Sequence, residues 1–265
     1  DVIMTPMRKH QRYFPVVDDA GQLLPYFVAI SNMKAKDMEV IRAGNERVLR
    51  ARLKDADFFF KEDRKTPLPE RVPKLRGIIF QERLGTMFDK VERLQKQVAS
   101  LAEQVAPHLV EEARRAAQLC KADLVTTMVK EFPNLQGVMG REYALLSGEA
   151  PAVAQAIEEH YLPRFAGDRL PESMIGAIVG LADRFDSICG CFGIGLIPSG
   201  SEDPYALRRV VVRRPFSLER IVKMVEGWQP AFWWAASQQR LIKLLKRVLG
   251  VYWYERLKRR LVPNA

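Results

Sequence analysis

The feature that most constrains this chain is a run of apolar residues at helical spacing. Leu84, Phe88, Val91, Leu94, Val98, Leu101, Val105 and Leu109 step by three or four positions, which places all eight on one face of a helix. The spacing predicts one long amphipathic helix broken near Pro107. Such a stripe needs apolar partners, and further helices are predicted over 111–130, 150–160 and 172–189. Pro133, Gly137, Gly140, Gly148 and Pro163 read as the turns between them. Short connections favour antiparallel neighbours, so residues 78–206 are expected to form an all-α domain.

The first 77 residues read differently. Gln11 to Val17 and Leu23 to Ile30 are rich in Val, Ile, Phe and Tyr, and Asp18-Asp19-Ala20-Gly21 between them is turn chemistry, so a β-hairpin is expected. From Asp37 the period becomes helical. Val40, Ile41, Val48, Leu49, Leu53, Ala56, Phe59 and Phe60 form the expected buried stripe, with Arg47, Arg50 and Lys54 on another face as a solvated or cationic ridge. Residues 63–76, charged and punctuated by Pro67, Pro69 and Pro73, suggest a linker. The fold class is therefore mainly α. A small α/β part with a hairpin and a basic helix (1–77) precedes the helical domain (78–206), and a basic helical tail (207–265) follows.

Charge separates the tail from the rest. The 265 residues carry a formal charge of +10. Residues 207–265 hold 14 Lys+Arg against 3 Asp+Glu, while residues 1–206 hold 28 against 29. All four tryptophans (Trp228, Trp233, Trp234, Trp253) fall in that tail. Cations beside aromatics suit phosphate backbones and bases, an interfacial membrane helix, or the solvated face of a bundle. No uncharged apolar run reaches 18 residues, so no membrane-spanning helix is encoded. The first residues have no secretory-signal pattern, and the sequence reads as a fragment. Three cysteines (Cys120, Cys189, Cys191) favour a reducing cytosol over a disulfide scaffold. The glycines at 190, 193, 195 and 200 are followed by no Gly-Lys-Ser/Thr, and a helix precedes them where a dinucleotide fingerprint needs a strand, so a structural loop is expected. His10, His108 and His160 enter no nucleophile–base pattern, and no catalytic residue is assigned.

Several motifs read together carry a family resemblance. They are Met7-Arg8-Lys9-His10-Gln11-Arg12-Tyr13-Phe14-Pro15, Gly44-Asn45-Glu46-Arg47-Val48-Leu49-Arg50-Ala51-Arg52-Leu53 and Phe80-Gln81-Glu82-Arg83-Leu84-Gly85-Thr86. Lys121-Ala122-Asp123-Leu124-Val125-Thr126, Glu131-Phe132-Pro133-Asn134-Leu135-Gln136-Gly137 and Glu158-Glu159-His160-Tyr161-Leu162-Pro163-Arg164-Phe165 continue the series. Phe192-Gly193-Ile194-Gly195-Leu196-Ile197-Pro198 and Asp203-Pro204-Tyr205-Ala206-Leu207-Arg208-Arg209 close it. The series resembles the β subunit of the bacterial tetrameric glycyl-tRNA synthetase, in its central part, and thins after Arg209.

The resemblance implies a division of labour. An α subunit forms glycyl-adenylate from glycine and ATP, and the β subunit grips tRNA(Gly) within an α2β2 complex in the cytoplasm. ATP and Mg are expected at the α subunit, with no cofactor, metal or membrane partner for this chain. Arg8, Lys9, Arg12, Arg47, Arg50, Arg208, Arg209, Arg213 and Arg214 are the expected phosphate contacts. The family's helical part is similar to HD-type phosphohydrolase domains, which hold metal through histidines and aspartates. Here Ala122-Asp123 stands at the His-Asp position, with Asp183 or Asp186 as the closing Asp. Two carboxylates alone hold a transition metal weakly. The implied scaffold has lost its metal, leaving Asp183 to pair with an Arg or cap a helix. A metal-dependent HD phosphohydrolase and a structural or membrane-surface module are the rival readings.

Overall fold

The periodic segments fold as rods that each bury one stripe, in a computed structural model that describes Met7 and residues 13–31, 36–165 and 167–196. Strands β1 (Tyr13–Val17) and β2 (Leu23–Ala29) form the expected antiparallel hairpin, with Phe14 opposite Val28. Its turn uses Gly21 at φ 77°, and the Asp18 carboxylate accepts from the Gln22 N–H at 2.7 Å.

Helix α1 (Met38–Asp63) starts where Asp37 accepts from the Glu39 and Val40 N–H groups. Its expected stripe is only partly covered. Leu49 and Ala56 are buried, whereas Val40 (67% exposed) and Val48 (42%) are open. The reason is packing: among the described residues, the N-terminal half of α1 rests on a small cluster of Met7, Tyr13, Phe27, Leu49 and Leu53, too thin to cover a full stripe. Of the stripe, Ala56, Phe59 and Phe60 reach the main core.

Residues 63–76 are not a free linker. They form α2 (Leu68–Arg71) and the 3-10 turn Val72–Gly77, and Leu68, Val72 and Leu75 are buried in the main core. Pro69 and Pro73 stand in first turns, where a missing N–H costs nothing, so they start helical turns here. The Leu68 N–H donates to Ser147 Oγ at 2.9 Å.

A short ribbon of β3 (Ile79–Gln81) and β4 (Gly85–Thr86) leads into α3 (Met87–Val105), opened by a reciprocal Thr86/Asp89 capping box. Val91, Leu94, Val98 and Leu101 are buried as their spacing predicts, and the break falls at Ala106–Pro107. The helix expected over 111–130 is three elements. Helix α4 (Val110–Leu119) ends at Cys120, the turn Ala122–Val125 follows, and α5 (Thr127–Glu131) restarts on a Thr126 cap. Helix α6 (Val138–Leu146) includes Gly140, which the sequence marks as a turn. Gly140 lies inside the helix because its bare Cα faces Ile157; an added Cβ would stand 2.6 Å from Ile157 Cγ2. Helices α7 (Pro151–Glu159) and α8 (Met174–Gly193) complete the bundle, α8 running through Gly190 and Gly193. The expected glycine loop therefore begins inside a helix.

Candidate functional site

Helix α8 carries two aspartates on an otherwise apolar segment. Asp183 and Asp186 are three apart, so they share a face, and that face meets α3 and the α4–α5 junction. Opposite them, α3 places Lys90 one residue before Val91 in its buried stripe, and only 2% of Lys90 is exposed. The Lys90 ammonium lies 2.9 Å from Asp183 Oδ1 and 3.0 Å from Asp186 Oδ2, and donates to Ser187 Oγ at 2.9 Å. Arg93, one turn on, grips Asp186 with two N–H groups at 2.7 and 3.1 Å.

The second ammonium comes from Lys121, just beyond α4. It donates to Asp183 Oδ2 at 2.8 Å and lies 2.9 Å from His160 Nε2. It also stands 4.1 Å from the centre of the Tyr161 ring. His160 Nδ1 sits 2.7 Å from the Ile157 carbonyl, an acceptor only, so Nδ1 carries the proton and Nε2 accepts from Lys121. Burial, then the Lys121 ammonium, push the His160 pKa well below its ordinary value, so the ring is neutral. Burial alone would raise Asp183, but Lys121 and Lys90 overcome it and hold its carboxyl well below the usual carboxylate range.

Asp183 therefore pairs with two lysines, in place of the expected Arg or helix cap. Asp186 joins it through Lys90, whereas Asp123 faces elsewhere. Asp123 is fully buried and its Oδ2 accepts from the Gly137 N–H, at the start of α6, at 2.6 Å. Gly137 holds φ 84°, a left-handed turn that aims this N–H at the carboxylate. Asp123 Oδ1 has no hydrogen-bond partner among the described residues. Burial outweighs the Gly137 hydrogen bond and raises the Asp123 pKa to about 6.

That shift sets a pH dependence. A carboxyl whose folded pKa lies above its unfolded value of about 3.9 binds more protons folded than unfolded in the window between them. Its contribution to stability then grows as pH falls from 7 to 4. Relative to the Asp123→Asn chain, the parent is expected to gain on the order of 2 kcal/mol over that range, read by urea unfolding at each pH. His160, with its depressed pKa, acts in the opposite sense, so the difference between the two chains is what isolates Asp123. Parallel pH curves for the two chains would refute the assignment.

The expected phosphate contacts divide. Arg8, Lys9, Arg12, Arg208, Arg209, Arg213 and Arg214 lie outside the described residues, as does the tail 207–265. Arg47 and Arg50 are exposed on α1, with no ion pair to a described residue. Arg50 and Lys54 border a groove of about 720 Å³ between α1 and β2, which Tyr26 and Phe27 also line. Sequence reading missed Lys90 and Lys121 as partners of the aspartates. The available signal was a lysine at a core-facing position of α3 and an aspartate pair on a hydrophobic helix.

The donors that a metal would use are already engaged. Among the described residues, no group of three or more His, Cys, Asp or Glu side chains is placed to hold a metal ion. His160 Nε2, Asp183 and Asp186 each face an ammonium or guanidinium. The residues present do not fit the metal that an HD-type pocket implies.

The described residues thus form a helical domain with an internal charge cluster, joined to a hairpin and to a helix that exposes Arg47 and Arg50. The family profile described as glycyl-tRNA synthetase beta subunit matches residues 1–216. The chain is 58% identical over 212 residues to the glycine–tRNA ligase beta subunit of Trichlorobacter lovleyi, covering 80% of this chain and 31% of that protein. It is 57% identical over 212 residues to the one from Geotalea uraniireducens, and 58% over 209 to the one from Geobacter sp. strain M21, at similar coverage. The chain belongs to the glycyl-tRNA synthetase β-subunit family. It spans about a third of the length of the curated relatives it matches. Residues beyond 216 fall outside the family match. No helix among the described residues is long and apolar enough to cross a membrane.

Proposed function

We propose that this chain is a tRNA-holding part of a glycine–tRNA ligase β subunit, acting in glycyl-tRNA formation. The observation that carries the reading is the family match over residues 1–216 together with 58% identity to a glycine–tRNA ligase beta subunit. In this reading the α subunit activates glycine with ATP and Mg, and the β subunit positions tRNA(Gly) within an α2β2 complex in the cytoplasm. The chemistry of this part is electrostatic. Exposed Arg47 and Arg50 on α1, neither in an ion pair to a described residue, can neutralise phosphates without first breaking an existing contact. Arg8, Lys9, Arg12, Arg208, Arg209, Arg213 and Arg214 extend the same set.

The test is binding of tRNA(Gly) to the full α/β enzyme as a function of salt. A residue that neutralises one phosphate contributes about one unit to the slope of log affinity against log salt. Arg47→Ala and Arg50→Ala are each expected to reduce the slope by about that amount, leaving the preference for tRNA(Gly) over other tRNAs intact. Slopes identical to the parent for both variants would remove α1 from the tRNA interface.

A further inference from the structure

We propose that Lys90 and Lys121 are a built-in replacement for a divalent cation, two ammonium groups that hold this helical domain together where a metal ion would otherwise be required. The donors they satisfy are of the types that metals use, an imidazole nitrogen at the end of α7 and two carboxylates on α8, each turned onto an ammonium. Lys121 draws His160 at the end of α7 and Asp183 of α8 onto the α4–α5 junction. Lys90 draws Asp183 and Asp186 onto α3. Asp183 sits between the two ammoniums, one on each oxygen, as a bridging carboxylate would sit between two cations.

The orientation of His160 has the same logic as a metal-ligating histidine. Its Nδ1–H is fixed on the Ile157 carbonyl, which aims the Nε2 lone pair inward. The lone pair meets an N–H of Lys121.

Distances identify which cation the pocket is built for. His160 Nε2 and Asp183 Oδ2 stand 2.9 and 2.8 Å from Lys121 Nζ, ordinary spacing for N–H donors. Direct ligation to zinc needs about 2.0–2.2 Å from the same atoms. The donors are thus set for an ammonium, roughly 0.7 Å too wide for a transition metal at that point. Charge agrees as well. With His160 neutral, Lys90, Lys121 and Arg93 face Asp183 and Asp186, so the cluster is already net positive, and an added divalent ion would be repelled. A tethered ammonium also cannot dissociate or be chelated away.

The experiment uses the protein and its Lys121→Met and Lys90→Met variants, whose side chains keep much of the lysine volume without the charge. Thermal midpoints are measured with excess EDTA and with added Zn²⁺ or Mn²⁺, and metal content by elemental analysis. The expected result is a parent midpoint unmoved by chelator or metal, sub-stoichiometric metal in the purified protein, and midpoints lowered by roughly 6–15 °C in both variants. A parent that loses stability in EDTA, gains it with either metal, or carries one metal per chain would overturn the proposal. So would Lys121→Met and Lys90→Met chains as stable as the parent. The parent measurements stand alone should neither variant fold.

Discussion

Replacing Asp63 with alanine is expected to cost about 3–5 kcal/mol of folding stability. Asp63 is the last residue of α1, and only 3% of it is exposed. Its two carboxylate oxygens accept from the Thr127 and Met128 N–H groups at 2.9 and 2.8 Å, both in the first turn of α5. Tyr143 of α6 donates its phenol to the same carboxylate at 3.2 Å, and the Arg71 guanidinium lies 3.5 Å away. Alanine would strand two backbone donors and a phenol and remove the countercharge of the nearly buried Arg71, which keeps its bonds to the Asp63 and Thr66 carbonyls. Unmet buried donors cost more than the net worth of the bonds lost. Burial, and then the Asp63 charge, push the Tyr143 pKa well up, so the phenol stays a donor throughout the physiological range. Urea unfolding of the chain measures the loss. Asp63→Asn, which retains one acceptor oxygen, should fall between the parent and the alanine chain. A midpoint for Asp63→Ala within experimental error of the parent would show that α5 starts without it.

The second large effect is expected from a single added methyl. Gly180 lies in α8 where it crosses the end of α7, and a Cβ there would stand 2.8 Å from the His160 carbonyl oxygen and 3.2 Å from its Cα. Both atoms are backbone and cannot swing aside. They are also pinned, because Lys121 holds the His160 ring and Arg184 holds the Leu162 carbonyl at 2.6 Å. Gly180→Ala should therefore lose about 1–3 kcal/mol, even though alanine favours a helix interior by about 1 kcal/mol. Gly190→Ala, ten residues along the same helix, is the control. There the added Cβ would meet only the Leu84 side chain, at 2.9 Å from Cδ1, which can rotate away. The control should be near neutral by thermal unfolding, and equal losses at both sites would mean that backbone proximity at Gly180 is not the cause.

These two sites show where sequence reading succeeds and where it stops. The buried stripe of α3 was legible because Val91, Leu94, Val98 and Leu101 sit in one regular element whose period is its geometry. The hairpin was legible for the same local reason, with turn chemistry between two apolar runs. Prolines 67, 69 and 73 misled because proline breaks a helix interior but suits a helix start, and only the burial of Leu68 and Leu75 shows which case applies. Gly140 misled similarly: its role is a close approach to Ile157, which is a property of two helices and not of one. Of the candidate site, Asp123, Asp183 and Asp186 could be picked out from motif position. Their partners could not, since Lys90 and Lys121 lie 93 and 62 residues away from Asp183 in sequence. Pairing across such separations is set by how the rods cross.

Helix α1 has a mechanical consequence. Its 26 residues make a rod about 39 Å long at the standard rise of 1.5 Å per residue. The base is clamped by Asp63, Ala56, Phe59 and Phe60, while among the described residues the far half rests on the small hairpin cluster. A rod held most firmly at its base acts as a lever. A rotation of about 5° at the clamp sweeps its tip through roughly 3 Å, the span of a hydrogen bond. Arg47 and Arg50 lie well out along that arm, so the packing around Asp63 sets where their charges stand in space. The fulcrum and the load are thus separate residues, and a substitution at the base can misplace the cations without altering either of them.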